Sequence, residues 1–213
     1  ASLSAMVADS WTINDKTIKS LADADAGATL EKKLASLNAD LEGSGVNASV
    51  LVEKTAEKVG SGVLLAGTST LTIAVVDKFG QNQSYVLTGT NNMSELVDKI
   101  NKETSVQAKL NDEGKLVLSA ENVVSIQTTD SSTGDGATGV TDATHNFRMV
   151  FNDTSSDQSG VKIERGTAGT AALEAALGIN VQDDNGNLQG ASVGAAAGTL
   201  NKGDLIINGV EIK

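Results

Sequence analysis

The sequence contains no cysteine and no proline, and its aromatic side chains are confined to Trp11, Phe79, Tyr85, Phe147 and Phe151. Without cysteine there is no disulfide scaffold, no thiolate zinc site and no thiol nucleophile. Without proline and disulfides, two slow refolding steps, prolyl isomerisation and disulfide rearrangement, are absent. Each aromatic buries far more area than an alanine, so so few of them leave cores of Val, Leu, Ile and Ala. Thin cores of that kind favour several small modules over one broad one. No apolar run approaches the ~18 residues that would suggest a membrane span. The first residues lack the basic and apolar regions of a secretory signal, so no Sec-type address is expected in this segment. Basic residues are also scarce: 16 against 27 acidic ones, a formal net charge of −11 over 213 residues. Such a balance repels phosphate backbones and anionic lipid, so no nucleic-acid or membrane partner is expected.

What is present is best organised between Thr68 and Asp130. Leu71, Ile73 and Val75 alternate with Thr72 and Ala74, the period of a half-buried strand. Asp77 to Asn82 carries turn chemistry, and Tyr85-Val86-Leu87 returns as a second strand. Asn92 stands as an N-cap with Glu95 to close a capping box, and Met93, Leu96, Val97 and Ile100 follow at helical spacing. Val97 and Ile100 are expected to face the sheet. Then 106–110 and 115–118 flank Asn111-Asp112-Glu113-Gly114 as a hairpin. The unit reads ββαββ.

An earlier stretch repeats that order. Trp11-Thr12-Ile13, Asn14-Asp15 and Thr17-Ile18 form a strand, turn and strand, and Leu30, Leu34, Leu37 and Leu41 make an amphipathic stripe after an N-cap at Thr29. Val46, Ala48 and Val50 then alternate as Val106, Ala108 and Leu110 do. Leu34, Leu37 and Asn38 correspond to Val97, Ile100 and Asn101, with a small loop insertion between helix and strand. Further on, Phe147 to Phe151 is a strand whose expected partner is Val161 to Glu164, Thr170 to Leu177 is a short helix, and Asp204 to Ile212 is an Asn-Gly hairpin. That hairpin has the form of residues 11–18 and would begin a third unit, so the chain is expected to be a fragment. The fold class is therefore α+β, with antiparallel hairpins and one short helix per module in two or more compact domains. The expected division is a divergent module at 1–66, the ββαββ module at 67–130, an exposed Gly/Ser/Thr loop at 131–145, and a β-rich module at 146–213.

No catalytic, cofactor-binding or metal-binding residue is expected. Gly134-Asp135-Gly136-Ala137-Thr138-Gly139 has the G-x-G-x-x-G spacing of a dinucleotide loop, but no strand leads into it and no apolar helix follows. Asp183, Asn185 and Asn187 have the alternate spacing of a calcium loop, yet Leu188 and Gly194 stand where Gly and Glu belong. His145, the one histidine, has no nucleophile elbow to serve and reads as solvated. Asp23 with Asp25, and Asp183 with Asp184, lie in polar stretches where nothing would raise a carboxyl pKa. Asn47, Asn82, Asn92 and Asn152 fit the N-x-S/T acceptor pattern, which an Asn- and Ser-rich chain produces by chance.

Residues Gly203 to Ile212, with Asp204-Leu205-Ile206-Ile207-Asn208-Gly209 at their centre, resemble the IN motif of bacterial flagellins and hook-associated proteins. The helix Ser94 to Asn101, the strand Val106-Gln107-Ala108 and the turn and strand Glu113 to Ser119 are similar to the same motif, although Ala74 replaces its asparagine. Ala176-Leu177-Gly178-Ile179 is also similar to segments of these proteins. The resemblance implies the outward-facing middle of a flagellin subunit, a structural and extracellular protein of the motility filament rather than an enzyme. It implies a homopolymer joined through long terminal helices absent from this chain, with surface glycans allowed. A hook-associated filament cap is the close alternative, and an adhesin or carbohydrate-binding module, or a hydrolase with an atypical site, the more distant ones.

Overall fold

The structure is a computed structural model of the chain, and it describes residues 7–19, 28–158, 160–173, 178, 206–207 and 210–211. The expected helix at Thr170 to Leu177 is described only through Leu173, and the carboxylates at 23, 25, 183 and 184 and the calcium-like spacing at 183–194 lie outside the described residues.

Strands dominate, as alternation foretold, and they form antiparallel sheets. Strands β1 (Trp11–Ile13) and β2 (Lys16–Thr17) are joined by Asn14 and Asp15, both at positive φ (44° and 62°), the conformation that a tight two-residue hairpin demands. Helix α1 (Leu30–Asp40) follows, then β3 (Val46–Thr55) and the short β4 (Val63–Leu64). Next come β5 (Leu71–Asp77), β6 (Asn82–Leu87), the short β7 (Thr90–Asn91) and helix α2 (Met93–Glu103). The remainder is β8 (Gln107–Leu110), β9 (Leu116–Glu121), β10 (Val123–Asp130), β11 (Ala143–Asn146), β12 (Arg148–Asp153), β13 (Ile163–Arg165), β14 (Ile206–Ile207) and β15 (Val210–Glu211).

Two four-stranded sheets hold most of the described strand residues, ordered β11-β10-β5-β6 and β12-β3-β9-β8. The chain passes between them four times, twice through a single residue. Beta-9 leads through Asn122, at a φ of 56° that asparagine tolerates, into β10, and β11 leads through Phe147 into β12. At the crossings Asn122 N–H donates to the Val50 carbonyl (2.9 Å) and Phe147 N–H to the Val124 carbonyl (3.2 Å). The two hairpins of the 67–130 stretch therefore join different sheets. Ladders cross the boundaries expected at 66/67 and 145/146, since β3 pairs with both β9 and β12. Buried apolar side chains form one cluster running from Trp11 to Phe147. Within it the Trp11 indole Nε1–H, fully buried, has no hydrogen-bond partner among the described residues.

Three expectations are corrected. The strand at 147–151 does not pair with 161–164: β12 pairs with β3, while β13 pairs with β1. The ten-residue β3 offers a longer alternating neighbour than the three-residue β13, and nothing local announces a pairing across a hundred residues. In α2 the buried positions are Leu96 and Ile100, with Val97 only half-buried: the helix buries an i, i+4 row instead of the expected i, i+3 pair. The stretch 131–145 is not an exposed loop throughout. Ala137, Thr138 and Val140 are at most 1% exposed, and Ala143–Asn146 is a strand paired with β10.

The physical reason lies in one carboxylate. Asp130 is 4% exposed, and its Oδ1 accepts from Ser132 N–H (2.9 Å) and the Ser132 hydroxyl, its Oδ2 from Thr138 N–H and Thr138 Oγ1, both at 2.9 Å. Polar side chains that would face water in an open loop are turned inward on this group, which satisfies it. The segment 57–62 then seals the loop from outside by backbone bonds. Ser61 N–H donates to the Gly136 carbonyl, Gly62 N–H to Ala137 and Glu57 N–H to Gly139.

Candidate functional site

The repeat seen in the sequence has a counterpart at the level of single hydrogen bonds. In α2 the Asn101 side chain reaches the next strand and grips one residue by both of its backbone groups. Its Nδ2 donates to the Ala108 carbonyl (2.9 Å) and its Oδ1 accepts from Ala108 N–H (2.7 Å). In α1 the Asn38 side chain does the same to Ala48, at 2.9 and 2.7 Å. A second pair of equivalents lies in the connections. Thr104 Oγ1 accepts from Val106 N–H and Ser44 Oγ from Val46 N–H, both at 3.0 Å. The apolar residues just before the asparagines, Leu37 and Ile100, are both fully buried.

These clamps sit where ladders run out. Beta-8 has β9 on one side only, and the ladder between β3 and β9 begins at Leu51, leaving Ala48 unpaired on that side. An amide offers one donor and one acceptor at nearly the spacing of a strand's own N–H and C=O. Each asparagine thus stands in for a missing strand and blocks a free edge. The intervening loop differs in length between the copies, seven residues from Asn101 to Ala108 and ten from Asn38 to Ala48.

The N-terminus of α2 is equally fixed. Asn92 Oδ1 accepts from Glu95 N–H (3.0 Å), as a capping box requires, but the Glu95 carboxylate accepts from Asn91 N–H and Nδ2, both at 2.9 Å, and from Asn92 Nδ2 (3.1 Å) in place of the Asn92 N–H. Those Asn91 bonds hold the Glu95 pKa below its usual value. Between the copies, Thr29 caps α1 through its hydroxyl on Lys32 N–H (3.4 Å).

The motifs that resembled reactive sites are used otherwise. In the stretch 134–139, Ala137 N–H is taken by Ser132 Oγ, Thr138 N–H by Asp130 and Gly139 N–H by the Asp135 carbonyl. The donors that would cradle a phosphate are spent on the protein's own carboxylate and backbone. His145 is half-buried rather than solvated, with Nε2 3.3 Å from Thr128 Oγ1. Burial, and then the charge of Lys54, push its pKa below 6.5 against the opposing pull of Glu57. Glu57 itself is hydrogen-bonded to Lys54 and accepts from Thr141 N–H (3.0 Å), which together bring its pKa down to about 2. Among the described residues no three acidic or histidine side chains converge on a point that could hold a metal ion, and no helix is long and apolar enough to cross a membrane.

The role of Asn38 and Asn101 was not read from the sequence, although their alignment was the available signal. Asp130 gave none beyond a serine two residues on.

A search of curated protein sequences finds no match to the chain. The flagellin hook IN motif, as a family, matches residues 70–122, a span that runs from β5 through the Asn101 clamp to the end of β9. The match favours a flagellin over a cap protein. By residues 70–122 this chain carries the flagellin hook IN motif.

Proposed function

We propose that this chain forms outer, surface-exposed domains of a flagellin subunit, held outside the cell on the filament that drives motility. The observation that supports this most directly is the IN-motif match at 70–122, reinforced by a second helix–asparagine–strand clamp at 30–48 with the same bonds. On this reading the work is mechanical: clamped edges and capped helices give rigid modules that need no reactive group. The two copies of the clamp support the finer ββαββ reading of each module. Assembly into a homopolymer would run through long heptad-bearing helices, unlike α1 and α2, which have 11 residues each. Surface glycans on the exposed face are compatible with it.

Immunogold labelling with antibodies raised against the purified chain tests the proposal. Label along the whole filament is expected. Label confined to the filament tip would indicate a cap, and label on the cell surface without filaments an adhesin; either would overturn it.

A further inference from the structure

Among the described residues the ladders are nested. Strands β4 to β11 lie within residues 56–146 and, apart from one side of β9, pair only with one another: β5 with β6 and β10, β10 with β11, β8 with β9, and β4 with β7. This span is also closed at its start, where Glu57 N–H donates to the Gly139 carbonyl (3.1 Å), Ser61 N–H to Gly136 and Gly62 N–H to Ala137, both at 2.9 Å. The strands outside it pair across it. Beta-1 and β3 precede the span, while their partners β13 and β12 follow it. Side-chain and turn bonds join the same two pieces. Asn14 Nδ2 donates to the carbonyls of Ser44 and Gly160 (3.1 Å each), Asn14 Oδ1 accepts from Lys162 N–H (2.7 Å), and Thr154 N–H donates to the Gly45 carbonyl (2.7 Å). Residues 7–55 and 147–165 thus form one outer unit in two pieces, with 56–146 inserted between them.

We propose that the fold has two stages: the insert, 56–146, stands on its own ladders, and the outer unit folds only on top of it. The first outer piece alone has one ladder, the short pairing of β1 with β2, and α1 clamped to β3 by Asn38. An isolated two-stranded hairpin is marginal at best, so this piece lacks stability of its own. The strands of the second piece, β12 and β13, have no ladder without β3 and β1. The pieces meet when the insert is folded. Beta-9 then carries Leu51 to Thr55 on Val117 to Glu121, and the Val124 carbonyl holds Phe147 N–H, which sets Arg148 opposite Leu51. An unfolded insert removes the β9 ladder and leaves a long loop whose closure entropy opposes the pairing. The dependence runs one way. Without the outer unit the insert loses the β3–β9 ladder and the contact of Glu31 with Lys78, a 2.7 Å ion pair and a 3.0 Å bond from Glu31 N–H to the Lys78 carbonyl, but it keeps its own five ladders. The state between, with the outer unit open and the insert intact, uncovers β9 from Val117 to Glu121. This coupling belongs to the chain itself and is independent of the function proposed above.

Urea titration of the full chain with two probes tests it. Fluorescence of Trp11, the one tryptophan and fully buried on β1, reports the outer unit, and the NMR resonances of Leu71 and Ile73, fully buried on β5, report the insert. Val50→Ala combined with Ile13→Ala, both buried in the outer unit, should lower the Trp11 midpoint by about 1 M or more and the insert midpoint by less than half as much. A range of urea then opens in which Trp11 is exposed and the insert resonances are native; if the double variant opens the outer unit without urea, the insert resonances persist there too. Ile126→Ala, at a fully buried position of the insert, should lower the insert midpoint with the Trp11 midpoint staying at or below it, and the milder Ile126→Val should keep the same order. Two results would overturn the proposal: midpoints that fall together by both probes in the outer-unit variant, and a Trp11 transition that outlasts the insert in either Ile126 variant.

Discussion

Removing the Asn101 amide is the sharpest test of how this fold is held. In Asn101→Ala the Ala108 N–H and C=O lose partners at 2.7 and 2.9 Å, and Ala108 is only 8% exposed. Two bonds at a net ~0.5–1.5 kcal/mol each give about 1–3 kcal/mol, with water at the strand edge keeping the loss below the cost of full orphaning. Alanine is the better helix former, which returns up to ~0.7 kcal/mol at this position. The expected net loss is therefore about 1–2 kcal/mol, or roughly 2–8 °C in Tm for a chain of this size. Asn38→Ala should lose a similar amount, since its two bonds have the same lengths. The clamps share no residue, so the double variant should lose close to the sum. Asn101→Asp adds a directional check. Its carboxylate can still accept from Ala108 N–H but opposes the Ala108 carbonyl, so its pKa is raised in the folded state. The stability deficit should then shrink as pH falls and the acid becomes a donor. Urea melts of the four variants supply the measurements. Losses under about half a kcal/mol at both asparagines would refute the clamp as a source of stability. A loss at Asn101 alone would confine it to the matched motif and end the structural equivalence of the two repeats.

Three further outcomes are expected. NMR titration of the chain's one histidine should give a pKa below 6.5; because the folded form resists protonation, stability should be full above that pH and fall as pH drops below it, and His145→Gln should flatten this part of a pH series of urea melts. Gly139→Ala should cost about 3 kcal/mol or more, because φ is +73° and the new Cβ would lie 2.1 Å from the Lys58 carbonyl oxygen, while Gly134→Ala, at φ +61° with nothing within 4 Å, should cost only about 1–2; equal losses in thermal melts would refute the backbone seam. Leu37→Ala and Ile100→Ala, at positions with no exposure, should each cost about 2–5 kcal/mol, against less than about half a kcal/mol for exposed Lys32→Ala, as read from urea midpoints.

Local order was legible because it is written in local spacing. Alternation marked β5, the leucine stripe marked α1, Asn92 with Glu95 marked the start of α2, and Asn111 to Gly114 marked a turn in which Asn111 Oδ1 accepts from both Glu113 and Lys115 N–H. Pairing across distance was not legible. The expected neighbour of β12 was the nearest alternating segment, whereas its partner β3 lies about a hundred residues away, and a period of two says which face is buried but not which strand lies alongside. The 131–145 stretch misled for a related reason. Composition describes the side chains of a loop but not where they point. Ser132 and Thr138 count as solvent-loving until Asp130 is placed between them, and a glycine counts as slack until a neighbouring backbone passes within contact distance.

The same argument explains why the motif is more informative than its chemistry suggests. A site that performs a reaction announces itself by rare residues at fixed spacing. Here the residues that fix the repeat are an asparagine, an alanine, a small hydroxyl residue and one buried aliphatic, all common types. None of these is distinctive alone. Yet each constrains the others: the aliphatic sets the roll of the helix on its sheet, that roll aims the next residue along the helix at the strand, and the hydroxyl two residues before the valine turns the chain so that an alanine arrives with both backbone groups facing the amide. A larger side chain on the helix could not match both groups, and a charged one could match only one. The requirement is for a neutral donor–acceptor pair of this length, which leaves asparagine. Loop length is free within that constraint, as the three-residue difference between the copies demonstrates. The two copies therefore diverge in sequence, join different neighbours and still present the same clamp, because the clamp depends on a few directed bonds rather than on the identity of the surrounding core.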